Sequence, residues 1–109
     1  MNTACPRIVV AVLALFAAPV MAVDESAATD LIKDSRCTKC HAVTIERVGP
    51  PFRDTAAKYK GKPDAVAVLT KHVTVPSEVE IDGEKKAHGL VESVDPAQIK
   101  NLVEWILSR

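Results

Sequence analysis

The sequence predicts an all-α fold of four to five short helices. Three observations lead there. Apolar residues recur at helical spacing, most clearly Ile99, Leu102, Val103 and Ile106 near the C-terminus. The chain reads as free of strand alternation and of internal repeats. Prolines and glycines fall between the periodic runs, at Pro50-Pro51, Gly61, Pro63, Pro76 and Pro96, where they would start or stop helices.

The N-terminus reads as a leader rather than as fold. Arg7 supplies a positive start, Ile8 to Val20 is an apolar run broken only by Pro19, and Val20-Met21-Ala22 has the small residues of a signal-peptidase site. We therefore expect residues 1–22 to be a cleaved signal peptide and residues 23–109 to form one domain. The apolar run falls short of the roughly 20 residues that span a membrane. The competing reading is an uncleaved anchor. Cys5 precedes the apolar core, the wrong place for a lipid-anchor cysteine.

Val23 to Ala28 reads as a frayed start. Thr29 or Ser26 is the expected cap of a first helix running through Leu31 and Ile32 to about Arg36. That helix delivers the chain to Cys37-Thr38-Lys39-Cys40-His41, a C-x-x-C-H pattern. The spacing has a chemical reason. Two thiols separated by two residues on one turn add to the two vinyl groups along one edge of a porphyrin. The histidine directly after the second cysteine then reaches the iron as proximal ligand. A thioredoxin-like pair or half of a zinc site needs no histidine at that position. Zinc would also need further ligands at metal spacing, and the one remaining cysteine, Cys5, leaves with the leader. We expect one covalent haem c, with Cys37 and Cys40 as thioethers and His41 as proximal ligand.

Val48-Gly49-Pro50-Pro51-Phe52 reads as rigid and non-helical, with Pro51 biasing Pro50 toward extended backbone. Such backbone leaves the Pro50 carbonyl free to accept from His41 Nδ1–H, which would set the tautomer and orientation of an iron ligand. A second helix follows over Arg53 to Lys60 and stops at Gly61. Pro63 opens a third in its first turn, with Asp64 near its N-terminus. This helix carries Ala65, Val66, Val68 and Leu69 and ends near Lys71-His72-Val73. Ser77 to Val94 reads as one long loop bearing His88. Asp95-Pro96-Ala97-Gln98 starts the last helix, with Asp95 as cap, Pro96 in the first helical position and Gln98 completing a capping box. Trp105 is large enough to seal one edge of the core.

Charge and size set limits on function. The 14 basic and 14 acidic residues balance, and loss of Arg7 leaves a slight acidic excess, so nothing points to nucleic acid. A domain this small buries a thin core and usually needs a staple. A covalently held haem would serve as one.

The chain resembles the small bacterial class I mono-haem cytochromes c over roughly Leu31 to Ser108. Four pieces in order carry the resemblance: Cys37-Thr38-Lys39-Cys40-His41-Ala42, Val48-Gly49-Pro50-Pro51-Phe52, Ala56-Ala57-Lys58-Tyr59-Lys60-Gly61, and Leu102-Val103-Glu104-Trp105-Ile106-Leu107-Ser108. The resemblance implies a class I fold, helices wrapped around one haem, with the terminal helices crossing over one haem edge beside Trp105. It implies that Pro50 supports His41 and that His72 stands near a propionate. In that family a methionine from the late loop binds the distal side. Here the only methionines are Met1 and Met21, both in the predicted leader.

Aligning the last helix through Trp105 brings Ala87-His88-Gly89-Leu90 near the usual methionine position. We therefore expect His88 as distal ligand and a lowered reduction potential, since imidazole favours ferric iron more than thioether sulfur does. Lys85, Lys86, His72 or an open distal face are the competing readings. The function expected is electron transfer in the periplasm without enzymatic activity, by a monomer docking transiently on protein partners and not inserted in a membrane. Lys33, Arg36, Lys39, Lys58, Lys60 and Lys62 would supply a basic rim. The alternatives are a haem-based binder or sensor of a small gas and the cytochrome subunit of a periplasmic oxidoreductase.

Overall fold

Helix α4 (Pro96–Leu107) is the spine on which the other helices pack. It buries Ile99, Leu102, Val103, Trp105 and Ile106, of which Leu102 and Val103 are essentially sealed from solvent. These positions recur every three to four residues and therefore share one face. In this computed structural model, which describes residues 12–14 and 22–109, α1 (Glu25–Asp34), α2 (Phe52–Tyr59) and α3 (Ala65–Thr74) all contact that helix. Ala28 and Ile32 of α1, Phe52 of α2 and Leu69 of α3 complete the core. The expected cleavage site and the leader lie largely outside the described residues. Among the described residues, no helix is long and apolar enough to cross a membrane.

Helix α1 starts earlier than its sequence suggests. Asp24, not Thr29 or Ser26, is the cap, and its carboxylate accepts from Ala27 N–H. An aspartate cap contributes about 1 kcal/mol to helix stability. The hydroxyl of Thr29 instead donates back to the Glu25 and Ser26 carbonyls, as a threonine inside a helix commonly does. Asp24 is held from the far end of the chain as well. Its backbone N–H donates to Asn101 Oδ1, and its carbonyl accepts from Asn101 Nδ2. The stretch read as a frayed start is thus clamped to α4.

The C-terminus closes the same crossing. Arg109 pairs with Glu25 at 2.7 Å, and its guanidinium lies over the Trp105 ring. The Trp105 indole N–H donates to the same carboxylate. The α1–α4 crossing therefore combines apolar burial with a polar lock, one strand of which is the last residue.

Three sequence expectations need correction. Helix α3 begins at Ala65, with Pro63-Asp64 forming the turn before it, and Asp64 makes no side-chain cap bond. At α4, Asp95 caps Ala97 N–H, but Gln98 does not close the box directly. It accepts from the Ser93 hydroxyl, which itself accepts from Asp95 N–H, so Ser93 relays the bond. The third correction is larger. The segment read as one long loop contains an antiparallel hairpin, β1 (Glu78–Ile81) and β2 (Glu84–Ala87).

The two-residue turn of this hairpin is Asp82-Gly83, both at positive φ, 52° and 78°. That is the type I′ geometry that matches strand twist and favours Asp-Gly. The alternation Glu78-Val79-Glu80-Ile81 is too short to stand out among helical signals. Pairing places Glu80 opposite Lys85, and opposite charges across strands are favourable. The fold remains all-α in class, with four α-helices and this one ribbon among the described residues.

Candidate haem site

Helix α1 ends where the cysteine motif begins, and the ending is abrupt. Arg36 adopts left-handed backbone at φ 58°, which turns the chain out of the helix. A 3₁₀ turn follows over Cys37–Lys39, and the Cys37 carbonyl accepts from both Cys40 and His41 N–H. Cys37, Cys40 and His41 therefore leave one tight turn. Burial raises the Cys37 thiol above its ordinary pKa.

The loop from His41 to Phe52 folds back on itself. Gly49 N–H donates to the Cys40 carbonyl, while Phe52 and Arg53 N–H donate to the Ala42 and Val43 carbonyls. These last two bonds satisfy donors that the first turn of α2 leaves free. Within the loop, His41 Nδ1 lies 2.8 Å from the Pro50 carbonyl oxygen. The His41 ring stacks on Phe52, with centroids 5.4 Å apart and planes 22° apart, and Phe52 meets Trp105 edge-on at 5.7 Å. Gly49 permits this closeness, because a Cβ there would run into the His41 ring. Neither Gly49 nor Phe52 was singled out by sequence as a site residue. The signal available was a glycine directly before the proline pair, a common mark of close backbone approach.

The His88 ring lies near that of His41, with centroids 6.2 Å apart and planes 59° apart. It directly follows β2, and its backbone N–H donates to the Ser77 carbonyl, extending the hairpin ladder by one bond. Two more bonds pin the following residues: Val91 N–H to the Val73 carbonyl, and Glu92 N–H to Ser35 Oγ. The His88 Nδ1 atom is buried and has no hydrogen-bond partner among the described residues. A buried polar atom left in that state costs about 1–3 kcal/mol.

His72, expected near a propionate, has its ring centroid 4.1 Å from that of His88. Burial lowers the pKa of both rings. Neighbouring His41 and Lys58 add to the effect on His72, and His72 and His41 add to it on His88. The Gly89 backbone works against this lowering at His88.

A cavity of about 480 Å³ opens beside His41, with Ile32, Ala42, Val43, Phe52 and Trp105 among its apolar walls. Trp105 thus serves both the core and the site. The residues fit a haem on two counts: two thiols and an imidazole on one turn, and a second imidazole, His88, with its ring centre 6.2 Å from that of His41; the apolar cavity touches His41 but not Cys37, Cys40 or His88. The expected basic rim divides. Lys33 and Arg47 line this cavity, whereas Lys60 and Lys62 line a separate depression with Arg53 and Arg109. Lys58 and Lys62 also stand over the Tyr59 ring.

Comparison with known proteins agrees with this geometry. The cytochrome c family model matches residues 26–109. The crystal structure of the class 1 cytochrome MtoD from Sideroxydans lithotrophicus superposes with a TM-score of 0.76 at 44% identity, covering 80% of this chain and 97% of that one. Cytochrome c-551 of Allochromatium vinosum is 39% identical over 92 residues, 80% of this chain and 93% of its own length. Cytochrome c-551 of Pseudomonas denitrificans is 34% identical over 87 residues, 76% of this chain and 98% of its own length.

Proposed function

This chain belongs to the cytochrome c family, and we propose that it is a periplasmic electron carrier, not an enzyme, with His41 and His88 as its two axial ligands. Its cofactor is one covalently attached haem c. That group supplies a one-electron centre whose potential depends on its axial ligands and surroundings. Cys37 and Cys40 would anchor it through thioethers and His41 would bind its iron, with the Pro50 carbonyl, 2.8 Å from His41 Nδ1, holding that ring.

The observation that carries the distal assignment is the placement of His88 opposite His41 at 6.2 Å. Two imidazoles on opposite sides of one metal, with bonds of roughly 2 Å, keep their ring centres about 6 Å apart. The absence of methionine from residues 22–109 supports the same reading. Lys85 and Lys86 lie on β2 and are exposed. Protein ligands on both faces leave no position for a substrate, which favours electron transfer over catalysis. Imidazole in place of thioether sulfur lowers the potential relative to a His/Met relative of similar burial.

Residues 1–22 act as an export signal and residues 23–109 as the working domain, a monomer. Partner docking is transient and uses the cavity mouth. Val43 lines that cavity with the cations Lys33 and Arg47, and Ile45 and Val48 are exposed in the same loop. Small apolar contacts with a charged rim suit short-lived redox encounters.

Low-temperature electron paramagnetic resonance of the ferric protein tests the ligand pair. Wild type should show a bis-imidazole low-spin signal that His88→Ala abolishes. An unchanged spectrum in the mutant would remove His88, and a high, His/Met-like midpoint in potentiometric titration would refute the lowered potential. The ferrous wild type should bind carbon monoxide slowly; rapid binding would favour a gas-binding role. Electron-transfer rates to an acidic partner should fall with added salt.

A further inference from the structure

An axial imidazole is usually oriented by a hydrogen bond from its second ring nitrogen to a carbonyl or carboxylate. His41 has such a partner in the Pro50 carbonyl at 2.8 Å. His88 has none, since its Nδ1 is buried without a hydrogen bond among the described residues. Its backbone is well held, by the bond to Ser77 and by the anchors at Val91 and Glu92. Those bonds fix the Cα but not the rotation of the ring. Gly89, the next residue, offers no side chain to brace it; its backbone lies near enough to the ring to work against the lowering of the His88 pKa, but not in hydrogen-bonding geometry with Nδ1.

One group does face the ring. His72, in the last turn of α3, lies with its centroid 4.1 Å from that of His88 and its plane tilted by 43°. No other aromatic ring lies as close to His88 among the described residues; the next is His41 at 6.2 Å. Helix α3 is itself fixed, through buried Ala65 and Leu69 and its packing on α4. Val73, the neighbour of His72, accepts the bond from Val91 N–H and so ties the helix end to the segment that bears His88. The ring of His72 is therefore carried on a firm base against a ring that lacks a hydrogen-bonded brace.

We propose that His72 is a positioning residue that sets the orientation of the distal imidazole by ring packing, in the role that the Pro50 carbonyl fills by hydrogen bonding for His41. This rests on the reading of His88 as distal ligand. It differs from a propionate contact, because it needs the flat ring of His72 and not its polarity. The anisotropy of a bis-imidazole low-spin ferric signal depends on the angle between the two ring planes, so the orientation can be read spectroscopically without any assay of activity.

The experiment compares ferric spectra of wild type, His72→Ala, His72→Phe and His88→Ala, each as the haem-loaded protein. His72 is exposed on a helix end, so all its variants should fold, and circular dichroism confirms that they do. Expected is a single low-spin signal in wild type, a shifted or split low-spin signal in His72→Ala, and a single signal near the wild-type position in His72→Phe. A wild-type spectrum in His72→Ala overturns the proposal while leaving His88 as ligand. A Phe variant that behaves like the Ala variant also overturns it, because polarity would then be what matters. Survival of the wild-type signal in His88→Ala overturns the ligand reading itself, and the proposal with it.

Discussion

His41 and His88 face one another across 6.2 Å, yet the chain holds them by different means. His41 belongs to a stretch in which nearly every contact is local. The turn at Cys37–Lys39, the Gly49–Cys40 bond, the Pro50 carbonyl and the Phe52 ring all lie within fifteen residues of one another. His88 is held by groups from three other parts of the chain: Ser77 before the hairpin, the end of α3, and Ser35 at the end of α1. A site built from neighbours in sequence forms wherever those neighbours fold. A site built from distant segments depends on the helices that bring them together. The proximal side should therefore fail through close packing, and the distal side through loss of register or tertiary support.

The sharpest way to break the proximal side is Phe52→Ala. It removes the ring between His41 and Trp105 and leaves a cavity at the edge of the core. A loss of about 3–5 kcal/mol is expected, measured as a fall in the denaturant midpoint of the haem-loaded protein. A loss below about 1 kcal/mol would mean that the stack is incidental.

Gly49→Ala comes next. The added Cβ collides with the His41 ring, and overpacking of this kind costs about 1–3 kcal/mol. The mutant should also show a shifted reduction potential, because the ring must move. An unshifted potential with unchanged stability would show that the loop yields freely.

On the distal side, Gly83→Ala forces a non-glycine residue into left-handed backbone beside Asp82, already at positive φ. The cost is about 1 kcal/mol. Expected are faster amide exchange across β1 and β2 and a broadened distal-ligand signal, with little change in the global unfolding midpoint. If global stability falls as far as in Phe52→Ala, the hairpin is part of the core and the contrast between the two sides fails.

The smallest effect concerns neither ligand but the crossing beneath both. The Glu25 carboxyl is held below the usual carboxylate range by its hydrogen bonds, first from Arg109 and then from Trp105, with the Arg109 charge adding to them. Its native pKa is lower than in the unfolded chain. The stabilisation is therefore present above about pH 4.5 and is lost as pH falls through the native value. Glu25 is largely exposed, so the contribution is modest. Thermal melts of Glu25→Gln should show a shallower dependence on acid pH than wild type, and equal slopes would remove the lock from the account.

The legibility of each region followed the same division. The cysteine motif and the helix starting at Asp95 could be read from a few adjacent residues, because the forces that shape them act within a turn or two. The hairpin could have been read, since Asp82-Gly83 after an alternating Glu78-Val79-Glu80-Ile81 is a hairpin signal. It was obscured because each strand has only four residues. The cap at Asp24 was harder. The sequence offered Thr29 or Ser26, whereas the cap used, Asp24, is held in place by Asn101, which lies in the last helix. The packing of His72 on His88 had no local signal, because two histidines sixteen positions apart carry no spacing rule outside a single helix.

By itself the sequence determined the helical class, the cysteine turn with its following histidine, and the lack of methionine in residues 22–109. These follow from side-chain chemistry and from short-range backbone preferences, which each segment carries wherever it goes. Tertiary structure alone decided which cap α1 uses, that Arg109 locks onto Glu25, that Phe52 backs the His41 ring, and that His72 lies on His88. Each of those depends on two segments meeting at one distance and angle. That meeting is set by the burial of Leu102 and Val103 at the centre of the helix packing, not by any residue at the site itself.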